Sequence, residues 1–188
     1  MLTATLGRQL VFIVLFSFMG MVFIDSHAHL DMCKGSIKEI VRKSQKAEVG
    51  IIINSGVNPE RNRKTLEIAK NFPENVKVAL GIYPIEASEM GKEQFDAEVE
   101  FIRKNAGKII AIGEIGMDFK ESNKRELQET RFKELIKLSF ELGKPMVIHS
   151  RKAESSCAQI LEEMKAKRVV IDSISLLGFP GGGAVGFE

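Results

Sequence analysis

Short, almost continuously apolar runs recur along this chain, each followed by an amphipathic stretch, and that alternation excludes most folds. The runs stand at residues 22–25, 50–54, 76–81, 108–113, 146–149 and 169–171. Their β-branched composition, without polar alternation, is that of parallel strands covered on both faces. Helical patterns fill the gaps. One has Ile37, Ile40 and Val41 on a face, and another opens at Asn58-Pro59, with asparagine as N-cap and proline at the first helical position. A third carries Phe95, Val99 and Ile102. The longest runs from about 124 to 142, with Leu127, Leu135, Leu138 and Leu142 at helical spacing and Gly143 and Pro145 to stop it. A fifth holds Cys157, Ile160, Leu161 and Met164. Strands at intervals of roughly 25–35 residues have the rhythm of βαβ units.

Two α/β architectures share that rhythm. A doubly wound sheet needs a glycine fingerprint after its first strand, and Asp-Ser-His-Ala-His stands there instead. A (β/α)8 TIM-barrel fold places polar residues of this kind on its functional face, at the carboxyl ends of the strands. A complete barrel typically needs about 250 residues, and this chain has 188. The expectation is about six of the eight βα units, in a partial barrel over residues 21–175. An apolar extension (1–20) precedes it, and a glycine-rich tail (176–188) follows.

The remaining composition narrows the reading little. With 44% hydrophobic residues the chain can bury one sizeable core. A net charge of +2, from 27 basic and 25 acidic residues, gives no electrostatic pointer to nucleic acid. Cys33 and Cys157 have neither zinc-type spacing nor a disulfide framework, which fits a reducing cytoplasm. Cys33 reads as a small, buried side chain. The apolar run at 10–24 is shorter than the roughly 20 residues a spanning helix needs. It allows a signal segment, a membrane anchor or an upstream extension before a natural start at Met21, and it offers the one route to membrane association. No stable protein partner is implied.

The three histidines, His27, His29 and His149, fall where predicted strands end, and Glu114 follows another such run. Two histidines one residue apart on a strand point the same way, so His27 and His29 can converge on one ion. A metal site is the leading reading; the rival is histidines that hydrogen-bond the backbone.

Five motifs then carry a family resemblance. They are Phe23-Ile-Asp-Ser-His-Ala-His-Leu-Asp31, Ala79-Leu-Gly-Ile-Tyr-Pro84, Ala111-Ile-Gly-Glu-Ile-Gly-Met-Asp118, Gln128-x-x-x-Phe132 and Lys144-Pro-Met-Val-Ile-His-Ser-Arg151. In that order they resemble the TatD family of metal-dependent deoxyribonucleases, within the amidohydrolase-type barrels. The resemblance implies a hydrolase that uses metal-activated water on phosphodiester bonds in DNA. The same centre would support an amidohydrolase-type deacylation or amide cleavage, and a non-catalytic fragment is the third alternative. The resemblance also implies two divalent ions, magnesium, manganese or zinc. His27 and His29 would hold one, Glu114 would bridge and act in catalysis, and His149 would hold the second. Arg151 is the candidate phosphate contact, with a structural ion pair as its rival. Asp25 and Asp118 would orient histidines, although Asp118 is also placed to cap the segment after it.

Departures from the family pattern bear on the second ion. Tyr83 stands where the family usually has a histidine that is not a ligand. A further histidine is expected at the end of the sixth strand, where Asp172 stands nearest, and a later aspartate has no counterpart. The second site therefore reads as incomplete, the chain as C-terminally truncated or altered in frame, and its activity as well below that of a complete relative.

Overall fold

Residues 23–171 are described by the structure, a computed structural model. Six parallel strands pair in the order in which they occur along the chain. They are β1 (Phe23–Ala28), β2 (Val49–Ser55), β3 (Val76–Leu80), β4 (Ala111–Asp118), β5 (Met146–Arg151) and β6 (Val169–Ile171). The helices between them are α1 (Ile37–Lys46), α2 (Pro59–Asn71), α3 (Pro84–Glu89), α4 (Lys92–Lys104), α5 (Arg125–Leu142) and α6 (Glu154–Glu163). A doubly wound sheet reverses its strand order at a switch point, whereas a βα barrel keeps the chain order. The sheet is therefore an α/β partial barrel with six strands, as expected.

Local chemistry explains the helix boundaries. Asn58 caps α2 by accepting from the Arg61 amide at 3.0 Å, and Pro59 follows at the first helical position. Ser36 does the same for α1 by accepting from the Glu39 amide. Gly143 ends α5 with φ at 62°, the left-handed conformation a C-terminal glycine supplies without strain. Leu127 departs from the expected apolar face and is exposed. The short α3 was not anticipated. Four strands run past their predicted ends: β1 to Ala28, β2 to Ser55, β4 to Asp118 and β5 to Arg151, the last two because their ladder pairs through Asp118 and Arg151.

The two faces of the sheet bury different things. On the outer face Leu80, Ile82, Ile112, Ile115 and Ile148 pack with Phe95, Ile102, Phe132, Leu135 and Ile136 of the helices. Each such large side chain contributes roughly 1.5–3 kcal/mol on burial. The inner face carries a small apolar layer of Ala79, Ala111 and Val147, with Ile53 against it. Two residues further along their strands, on the same face by alternation, come Ser55, Gly81, Gly113 and His149.

Among the described residues no helix is long and apolar enough to cross a membrane. The extension at 1–20, the tail at 176–188 and Asp172 lie outside the described residues, as does most of the 10–24 run. Its last residues, Phe23 and Ile24, open β1, which forms one edge of the described sheet; both are exposed.

Candidate metal centre

Simple alternation would turn Glu114 away from the inner face, since Gly113 already points there. Pairing with β5 removes the conflict. Ile112 stands opposite Met146 and Ile115 opposite Ile148, so β4 spends one residue more than its neighbour over that stretch. Such a bulge re-aims side chains: Ile112 and Ile115 both reach the outer core, and Glu114 enters the interior. β1 repeats the device, because Asp25 and Ala28 pair with Ile52 and Asn54. Gly116 lets β4 approach β5 closely. Its φ is +142°, and a Cβ there would lie 2.0 Å from the His149 carbonyl oxygen.

The structure brings His27, His29, Glu114 and His149 together. The two Nε2 atoms of His27 and His29 lie 3.1 Å apart. Glu114 Oε2 is 3.5 Å from the first and 3.2 Å from the second. Its other oxygen, Oε1, is 2.7 Å from His149 Nδ1. The carboxylate thus lies between the histidine pair and His149. The expected reason for the pair's convergence needs correcting. His29 is no longer in the strand but has φ −122° and ψ 80° at the mouth of a short turn, so turn geometry and the β1 bulge, rather than simple strand alternation, bring the rings together.

The donor set fits a divalent cation. Ligands about 2.0–2.1 Å from a tetrahedral ion stand roughly 3.4 Å apart, close to the three edges of this triangle. The distal ring atoms are oriented as ligation requires. His29 Nδ1 lies 2.8 Å from the Ser55 carbonyl, which can only accept, so Nδ1 carries the proton and Nε2 keeps its lone pair. His27 Nδ1 meets the Ser55 hydroxyl at 3.2 Å. Burial lowers the pKa of His27, against the opposing pull of Glu114, and so favours the neutral, ligating form. Burial alone would raise Glu114, but the contact with His149 and the charges of the neighbouring histidines outweigh it and hold the carboxyl well below its usual range.

Other predicted residues take their places around this centre. Asp118 Oδ1 accepts from the amides of Lys120 and Glu121 at 2.9 and 3.1 Å, and so caps the following turn. Its Oδ2 faces Tyr83 and, at 3.5 Å, His149 Nε2. Asp25 accepts from the His27 amide at 3.2 Å. Arg151 pairs with Glu121 at 2.9 Å, so its ion-pair reading is the one realised in this structure. Cys157 is buried, which pushes its thiol up to about 11 and makes it inert. Cys33 contradicts its expected burial: it is exposed on the turn after His29, because the chain there has left the sheet.

Three further residues escaped the sequence reading. Ser55 orients both histidines of the pair. Asn54 accepts from the Leu30 amide at 2.7 Å and holds the turn after His29. Gln128, noted only within a motif, clamps Asp118 by accepting from its amide at 2.7 Å and donating to its carbonyl at 3.1 Å. The Asn54-Ser55 pair closing an apolar run was the same kind of polar strand end that marked Glu114.

Residues 24–176 match the family model described as TatD related DNase. An uncharacterized metal-dependent hydrolase of Buchnera aphidicola subsp. Baizongia pistaciae is 32% identical over 156 residues, which are 80% of this chain and 57% of that protein. The 3'-5' ssDNA/RNA exonuclease TatD of Edwardsiella piscicida is 25% identical over 128 residues, covering 68% of this chain and 48% of its own. Among solved structures, the TatD homologue YjjV of Escherichia coli K12 superimposes with a TM-score of 0.66 at 26% identity, covering 75% of this chain and 55% of that one. The chain spans about half the length of the curated relatives it matches. A match over that much of the sequence, together with the barrel order of its strands, shows that the chain belongs to the TatD family.

Proposed function

We propose that this chain is a divalent-metal-dependent hydrolase of phosphodiester bonds in nucleic acid, with single-stranded DNA as the substrate to try first. The observation that carries the reading is the triangle of His27 Nε2, His29 Nε2 and Glu114 Oε2, with edges of 3.1–3.5 Å. His27, His29 and Glu114 would hold one ion, and Glu114 with His149 would hold a second of magnesium, manganese or zinc. A bound cation supplies Lewis acidity to water and to the phosphoryl oxygens at neutral pH. Glu114 would be both a ligand and the catalytic carboxylate of the centre, and its contact with His149 would keep it aimed. Ser55 fixes the imidazole orientation, so both rings enter the reaction already aligned. Beside the centre a cavity of ≈ 340 Å³, lined in part by His29, Glu114, Tyr83 and Arg61, is large enough for a nucleotide. Arg151, at the rim of the site, would exchange Glu121 for a substrate phosphate. The names of the family and of its exonuclease relative support nucleic acid as the substrate class.

Purified protein incubated with manganese and a labelled single-stranded oligonucleotide tests this. Weak, chelator-sensitive cleavage that disappears in Glu114→Ala is expected. Absence of cleavage by metal-loaded protein, or cleavage that survives Glu114→Ala, would contradict the reading.

A further inference from the structure

The Tyr83 side chain reaches the middle of the site. It sits at the mouth of α3, where it makes no side-chain cap bond. Its hydroxyl lies 2.8 Å from Asp118 Oδ2 and 3.2 Å from His149 Nε2. A phenol has one proton to give. If that proton went to His149, the Asp118 oxygen would face a bare phenol oxygen, lone pair against lone pair. The proton therefore goes to Asp118, and the phenol oxygen is left to accept from His149 Nε2–H.

The surroundings leave this arrangement little freedom. Asp118 cannot swing away, because its other oxygen holds two backbone amides and Gln128 grips its own amide and carbonyl. The Tyr83 and His149 rings meet edge-on, with centroids 4.7 Å apart at 61°. His149 then presents Nδ1 to Glu114 at 2.7 Å, a contact that in the metal-free protein carries a second ring proton, which a bound ion would replace. The histidine pair is arranged the other way round, with Nδ1 held by Ser55 and Nε2 facing Glu114.

We propose that Tyr83 is a positioning residue: by accepting a hydrogen bond from His149 Nε2–H it turns His149 Nδ1 toward Glu114. The proposal rests on the metal-centre reading only for the use to which Nδ1 is put. Long-range ¹H–¹⁵N spectra of histidine-labelled full-length protein, recorded before and after addition of zinc chloride, test it. The wild type is expected to show a protonated Nε2 at His149 that persists on zinc addition. In Tyr83→Phe that N–H signal should be lost to solvent exchange, while the His27 and His29 resonances stay in place and attest the fold. A wild-type His149 with a bare Nε2 would overturn the proposal even if the variant proved insoluble. An unchanged His149 signal in Tyr83→Phe would overturn it too. Absence of DNA cleavage with the N–H signature intact would count against the hydrolase reading and leave the role of Tyr83 standing.

Discussion

The two halves of the site are built to different standards. Asp118 and His149 stand on β4 and β5, with Tyr83 reaching them from the mouth of α3, and every residue of β4 is buried. Asp118 alone is gripped by Gln128, two amides and Tyr83. The histidine pair, by contrast, stands on β1 and the turn after it, with the first half of that strand exposed. Its orientation depends mainly on Ser55 and on the Asn54 contact to the turn. Rigidity on one side and a lightly supported donor pair on the other predict different consequences for mutations. Changes around Asp118 should act on folding, and changes around the pair should act on metal affinity.

The largest expected effect tests the rigid half. Gly116→Val adds a branched side chain at positive φ against the His149 carbonyl, and should cost about 4–6 kcal/mol or prevent folding. A urea midpoint close to wild type would show that β4 and β5 are not locked together there. Gln128→Ala should follow at about 2–4 kcal/mol, because it leaves the Asp118 amide and carbonyl buried without partners. On the other half, Ser55→Ala removes one hydroxyl contact to His27 and should cost only about 1 kcal/mol. Its metal affinity should nevertheless fall about 10-fold, as read by competitive titration with a chelating dye. Equal losses of stability from Gln128→Ala and Ser55→Ala would erase the contrast.

The smallest effect concerns protons. Burial depresses His27 below the usual histidine value of 6.5. Just below that pH the unfolded chain takes up a proton that the folded chain declines. This residue's contribution to stability is therefore complete above 6.5 and is lost as pH falls toward the depressed value. In metal-free protein the loss of stability between about pH 7.5 and about pH 5.5 should be smaller in His27→Gln than in wild type. Identical pH slopes for the two would show that His27 is not buried in its neutral form.

The fold was legible wherever its signals are local. Asn58-Pro59 and Gly143 mark helix ends through contacts within a few residues, and the apolar runs marked each strand. Strand ends were less legible: β4 was expected to stop at 113, but polar residues at Glu114 and Asp118 do not break a ladder when the inner face lines a site. The extra residues in β1 and β4 are invisible until the pairing partner is known, because register is a property of two strands. That is why the convergence of His27 and His29 was foreseen for an incomplete reason. Ser55 and Asn54 carried a readable signal, a polar pair closing an apolar run. Nothing local announced the contact of Tyr83 with Asp118, since those residues meet only through the packing of β3 against β4.

The most direct measurement is the metal content of purified protein by elemental analysis, wild type beside a variant combining His27→Ala and His29→Ala. The wild type should retain divalent metal through extensive dialysis, and the double variant should retain none while keeping its far-ultraviolet circular dichroism. Equal metal content in the two proteins would show that these histidines are structural and would contradict the account of the site.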